Sequence, residues 1–140
     1  MRSLLLRTLL VLPLSVGVVL LAAPSAMAAN VEQYNAKVRA VGHSAKGRAA
    51  VVRQQGGPRF LTLTSFSISP GPKVRVYLVA GRVRGDGDVD DFVDLGALKG
   101  SRGNQQYRIP AGTNVRKYRT VVFWCVPFTQ ILARADLRAS

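Results

Sequence analysis

The chain has 140 residues, 20 Lys and Arg against 7 Asp and Glu for a formal charge of +13, one His and one Cys. A single cysteine excludes an intramolecular disulfide, a four-cysteine zinc site and a Cys-x-x-Cys-His haem attachment. The length fits one domain, whose own apolar core must supply its stability.

The N-terminus reads as a leader. Arg2 and Arg7 form a positive n-region, Leu9 to Ala23 an apolar h-region, and Ala26-Met27-Ala28 the small-x-small pattern of a cleavage site. The expected product is a secreted or periplasmic protein cut after Ala28 or Ala29, with no transmembrane span left after cleavage. An uncleaved anchor is the competing reading, since residues 8 to 31 carry no charge. With Arg2 and Arg7 removed, the formal charge becomes +11, and both methionines, Met1 and Met27, are gone.

Residues 29–37 read as a lead-in, with Val31 to Asn35 as coil or one helical turn. Beyond Asn35 the pattern has period two. Asn35 to Val41 alternates Ala36, Val38 and Ala40 against Lys37 and Arg39, and Gly47 to Arg53 continues as strand. Phe60 to Thr64 and Lys73 to Val79 are β-branched and aromatic strands, separated by the turn clusters Gly56-Gly57-Pro58 and Ser69-Pro70-Gly71-Pro72. Further strands are expected over Phe92 to Leu95, Gln105 to Ile109, Thr120 to Cys125 and Phe128 to Leu132. The whole reads as all-β, a single antiparallel β-sandwich of about seven or eight short strands over 38–140, preceded by a signal peptide over 1–28. Thr120 to Cys125 is apolar enough to be a central strand covered on both faces, and alternation sends Trp124 and Cys125 to opposite faces.

Read in order, Gly42-His43, Gly47-Arg48-Ala49, Phe60-Leu61, Phe66, Gly71-Pro72, Val76-Tyr77-Leu78, Asp94-Leu95-Gly96-Ala97-Leu98-Lys99-Gly100, Gly103-Asn104-Gln105-Gln106-Tyr107, Ile109-Pro110, Tyr118 and Val121 to Cys125 with Phe128 form one string. This string resembles the DM-thirteen domain of Skeletor-type animal proteins and secreted bacterial proteins, over about Val38 to Leu137. The motif positions are Gly71, Pro72, Tyr77, Leu78, Leu95, Gly96, Leu98, Lys99, Gly100, Asn104, Tyr107, Pro110 and Trp124. The resemblance implies a β-sandwich and a redox or electron-transfer role centred on the cysteine after the tryptophan, here Cys125. His43 stands where the family often has histidine. After Phe128 the segment Thr129 to Leu137 departs from the family's usual aromatic-small ending.

Cys125 admits two readings. A lone thiol outside the cytoplasm can be a redox centre, a metal ligand or an intermolecular bridge, with Arg119 or the arginine-rich surface favouring its thiolate; it can equally be a small core hydrophobe. His43 is either a partner for Cys125 or an exposed loop histidine. Haem or copper enters only through the resemblance, and the ligand count supports it weakly. Blue copper needs two His, one Cys and an axial ligand, often Met, where the mature chain offers one His, one Cys and no Met. Two chains together would pool two of each.

Five of the seven acids fall in Gly85 to Asp94. Oxygen ligands at alternating positions suit calcium, but Asp91 stands where an EF-hand needs glycine and Ala97 where it needs glutamate, so a solvated loop is the reading. Outside this loop, 18 basic groups face only Glu32 and Asp136. The arginines are scattered, no nucleic-acid-binding motif accompanies them, and export directs the charge toward anionic envelope lipids or polysaccharides. Classical hydrolase parts are missing: there is no Gly-x-Ser-x-Gly and no second histidine. The resemblance implies a non-enzymatic or accessory redox role with an unidentified redox partner, Cys125 as the reactive or ligating group and His43 as its helper; the alternative, from the charge, is a basic module for anionic envelope components with Cys125 as core packing.

Overall fold

The computed structural model describes residues 11–13, 17–22 and 29–140. The expected leader, with its cleavage site at Ala28, lies largely outside the described residues. No helix among the described residues is long and apolar enough to cross a membrane.

Ten strands follow one another: β1 (Val31–Lys37), β2 (Arg39–Ala40), β3 (Ala45–Arg53), β4 (Arg59–Ile68), β5 (Val74–Ala80), β6 (Phe92–Ala97), β7 (Gln105–Ile109), β8 (Tyr118–Cys125), β9 (Gln130–Asp136) and β10 (Arg138–Ala139). A single 3-10 turn, Asp86–Asp88, lies between β5 and β6. The strands make two five-stranded sheets, ordered β10-β1-β3-β4-β7 and β2-β9-β8-β5-β6. All their pairings are antiparallel. The all-β sandwich is as expected; the strand number is higher, because the expected strand Asn35 to Val41 is divided at Val38 between β1 and β2, and the two-residue β10 is added.

The segment Val31 to Asn35 is strand, not coil or a helical turn. Its backbone pairs with β3 from Val31↔Arg53 to Lys37↔Arg48 and with β10 at Tyr34↔Ala139. Ladder hydrogen bonds hold it where side-chain pattern does not. The chain then changes sheet at buried Val38, whose N–H bonds Gly47 O at 2.8 Å. Gly47 has φ +125°, and a Cβ there would lie 2.8 Å from Phe66 Cα, so the β3 bulge between Lys46 and Arg48 needs glycine.

Alternation sorts the core. Ala49, Val51, Leu61, Leu63, Val76, Leu78, Val121, Phe123 and Cys125 fill the space between the sheets, with Phe66 stacked on Phe123 at 4.9 Å. β8 is central in its sheet, between β9 and β5. Its other face is also covered: Val122 packs with Tyr77, Val79, Val83 and Ile131, joined by Val89 and Trp124. The connection from β5 to β6 supplies Val83 and Val89, folding back over the sheet. β8 thus has apolar residues in consecutive positions because it is buried on both sides.

Candidate functional site

Four connections meet at one end of the sandwich: 41–44 between β2 and β3, 69–73 between β4 and β5, 98–104 between β6 and β7, and 126–129 between β8 and β9. Cys125, the last residue of β8, points into the core at this end and is 1% exposed. Its Sγ contacts Pro72 O at 3.4 Å, a weak S–H donor on a carbonyl. Pro72 belongs to the Ser69-Pro70-Gly71-Pro72 turn, which covers the thiol.

His43 holds the same turn from the other side. Its Nδ1 lies 3.1 Å from Ser69 O. A carbonyl only accepts, so this contact requires a proton on Nδ1. Gly71 lies under the imidazole, where a Cβ would sit 3.5 Å from His43 Cε1, 3.0 Å from Leu132 Cδ1 and 3.4 Å from Val74 Cγ2. The two expected site residues are therefore brought to one turn, Cys125 through Pro72 and His43 through Ser69 and Gly71. Arg119 is not the cation beside Cys125. It lies at the other end of β8, about 20 Å away along an extended strand of six residues.

The longest motif builds the crossing from one sheet to the other. Leu95 and Leu98 pack on the main core, and Leu98 N–H bonds Val74 O at 2.9 Å. Gly96 takes φ +110°. Lys99 N–H donates to Tyr107 Oη at 2.9 Å, Tyr107 donates to Gln105 Oε1 at 2.5 Å, and Gln105 donates to Gly100 O at 2.6 Å. The Lys99 ammonium bonds Gln106 O and lies 5.0 Å from the Tyr107 ring centroid. Burial pushes the Tyr107 phenol above its usual range, opposed by the bond from Lys99. Asn104 Oδ1 accepts from Ser65 N–H, and Pro110 O accepts from Thr113. These positions are structural latches, and Leu78 is core.

Tyr77 and Trp124 lie together on the outer face of the second sheet. Tyr77 stacks on Phe92 at 4.2 Å and on Trp124 at 6.3 Å, and burial raises its phenol's pKa. Trp124 and Cys125 do face opposite sides, one in each apolar cluster.

The acidic loop is spent on structure. Asp86 Oδ1 accepts from Ile131 N–H, Asp88 from the N–H groups of Arg84 and Gly85, Asp91 pairs with Lys117 at 2.8 Å, and Asp94 with Arg75 at 2.7 Å. The bonds from Arg84 and Gly85 lower the Asp88 pKa, and Lys117 with Tyr118 lowers that of Asp91. Among the described residues no group of three His, Cys, Asp or Glu could hold a metal ion.

Haem and copper do not fit this thiol. Cys125 is enclosed by packed side chains and a proline carbonyl, and neither it nor His43 lines the clefts at Ser44–Arg102, Gly81–Ala139 or Arg53–Gly112. A planar macrocycle needs a cavity at its axial ligand, and copper needs further ligands converging on the sulfur.

Sequence reasoning missed the cover that the proline-rich turn forms over Cys125. Its signal was present in Gly71-Pro72, whose glycine admits His43 and Leu132 so closely. The arginines were read as scattered, and the fold gathers several of them at the far end. The chain matches no curated protein and no solved structure. The family model described as Electron transfer DM13 matches residues 37–137, from the last residue of β1 to the residue after β9, and so takes in the covered thiol, its turn and the sheet-crossing latch together. On that extent of match, the chain belongs to the DM13 electron-transfer family.

Proposed function

We propose that the chain is an exported domain with an accessory redox role in which Cys125 is the reacting group and His43 controls access to it. The observation that carries the reading is the shared turn: the thiol is covered at the end of the sandwich by four residues that His43 holds in place. Such a segment opens locally at less cost than the core, so a thiol that is 1% exposed in the closed form becomes reachable without global unfolding. Family membership supports the redox assignment, and the leader pattern over residues 1–28 supports export.

Because haem and copper do not fit at Cys125, the chemistry is that of the sulfur itself. A hydroperoxide takes two electrons from the thiolate; an S–O bond forms as the O–O bond breaks, giving a sulfenic acid and an alcohol or water. A small thiol condenses with the sulfenic acid to a mixed disulfide and water, and a second one releases Cys125 while forming its own disulfide.

Alkylation kinetics of the folded protein test this. Cys125 should react at a rate set by local opening, faster than the denaturant-derived global stability allows, and His43→Ala should raise that rate several-fold with little change in global stability. Cys125→Ser should fold and lose all peroxide consumption. A thiol modified only in step with global unfolding sinks the proposal. Exported material whose N-terminus is Met1 sinks the leader cleavage.

A further inference from the structure

The end of the sandwich opposite Cys125 concentrates cations without partners. β3 stops at Arg53 and β4 starts at Arg59, and these two are directly opposite in the register. Like charges facing each other across a strand pair cost stability. On the next strand Ile109 is the register partner of Arg59, while Arg108 pairs with Phe60 and so sends its side chain to the other face of the sheet, at the rim of this end. All three arginines line one open cleft of about 500 Å³, floored by Gly56, Pro58 and Gly112, with no acid in its lining. The ion pairs among the described residues use Arg48, Arg75, Lys117 and Arg134 instead.

Arg59 is half-buried, and one of its terminal nitrogens donates to Thr113 O at 2.5 Å. That bond fixes the guanidinium and leaves the rest of its five N–H groups to other acceptors. A second cleft of about 410 Å³ opens at the same end, where β5 finishes and β8 starts. It is lined by Arg82, Arg119 and Arg138, with Asp136 as its one acid, itself drawn to Arg134 at 3.8 Å. Guanidinium forks match the two oxygens of a phosphate or carboxylate, which a lysine ammonium does not.

We infer that this end of the sandwich binds a soluble oligoanionic chain, with one phosphate or carboxylate group bridging the facing Arg53 and Arg59 and a further group on the chain reaching the second cleft. A bridging oxyanion removes the repulsion between the facing arginines, which is why the pair is tolerated. A flat bilayer is the poorer match: no large exposed apolar residue lines either cleft, and the two at this end, Val31 opposite Arg53 and Phe92 opposite Val79, stand singly on strands of different sheets and form no insertion patch. The inference is independent of the redox role, since Cys125 lies at the other end of β8.

Calorimetric titration of the full chain at physiological salt tests it, with tripolyphosphate, oligogalacturonate and phosphatidylglycerol-containing vesicles as probes. At least one of the two chains should bind, and the tighter one names the oxyanion. Replacing Arg53 and Arg59 together with Gln should weaken that binding by about tenfold or more, and raising the salt should weaken it further. Arg53→Gln alone, at an exposed position, should still cost several-fold if the double variant folds poorly. The pair Lys46→Gln and Arg102→Gln, which removes the cations of the cleft beside Ser44, should change affinity by less than about twofold. The inference is overturned if neither chain binds, if the arginine variants bind like the wild type, if the Lys46 and Arg102 pair costs as much, or if vesicles outcompete both chains at equal anion concentration.

Discussion

The two ends of the sandwich differ in what the fold does with reactive groups. At one end a single soft nucleophile is withdrawn: Cys125 is buried, bonded to Pro72 O and covered by a turn that His43 secures. At the other, hard cations are left outside, with Arg53 and Arg59 facing one another and no acid within their cleft. The same strands make both ends. β3 and β4 carry the Gly47 bulge and the proline-rich turn at one extreme and the two arginines at the other. The difference teaches that this sandwich buries its one thiol at one end and exposes a facing arginine pair at the other, so each end can be altered alone.

The largest effect should come from the core nearest the thiol. Phe123 is fully buried and stacks on Phe66, so Phe123→Ala should cost about 3–5 kcal/mol in chemical denaturation, by lost transfer energy plus a cavity. If the protein still folds, Cys125 protection should collapse while oxyanion affinity is kept. Equal loss at both ends would deny their independence. Gly71→Ala acts more narrowly. The new methyl would meet Leu132 Cδ1 at 3.0 Å, and relieving that contact should cost about 1 kcal/mol while lifting the turn from Pro72 and speeding Cys125 alkylation.

How much of this was legible follows from where each signal resides. The alternation of Val121, Val122, Phe123, Trp124 and Cys125 is a local property, and it correctly gave a doubly covered central strand with the tryptophan and the thiol on opposite faces. Only the end of β1, Asn35 to Lys37, lay in an expected strand; Val31 to Tyr34 was missed because Glu32 and Gln33 give it no apolar face. It stands by backbone pairing and by Glu32 bonding Arg48, Asn35 and Ser140. The last long strand was expected from Phe128 but begins at Gln130; Thr129 has φ +47° in a turn closed by its N–H on Val126 O, and Phe128 is 63% exposed. The proline-rich turn was legible as a turn, yet its closure over a cysteine 53 residues away is a tertiary fact. The arginine cleft was hidden for the same reason, since only the β3 and β4 register sets Arg53 against Arg59.

Tyr107 gives a smaller and pH-dependent effect that touches neither end directly. Its hydroxyl accepts from Lys99 N–H and donates to Gln105, so Tyr107→Phe should cost about 1 kcal/mol at neutral pH. The phenol is held above its ordinary value of 10.0, chiefly by burial. Above about pH 10 the unfolded chain ionises first and binds fewer protons than the folded one, so stability must fall as pH rises through that range. Thermal unfolding followed from pH 8 to 11 should show a shallower decline for Tyr107→Phe than for the wild type. A parallel decline would assign the loss to other groups.

The smallest effect has the opposite sign. Arg53 is exposed and faces Arg59 without an acid between them, so Arg53→Gln should raise stability at low salt, by roughly 0.2–1 kcal/mol, through loss of a like-charge cross-strand pair. The gain should shrink as salt rises, because screening already weakens the repulsion in the wild type. Adding tripolyphosphate should stabilise the wild type more than the variant and so reverse their order, since a ligand bound only by the folded state adds stability in proportion to its affinity. Guanidinium-free denaturation in urea, with and without the anion, reads both quantities in one experiment. A variant that is less stable in both conditions would mean that Arg53 is kept for packing, and the contrast between a protected end and an accessible one would then rest on Cys125 alone.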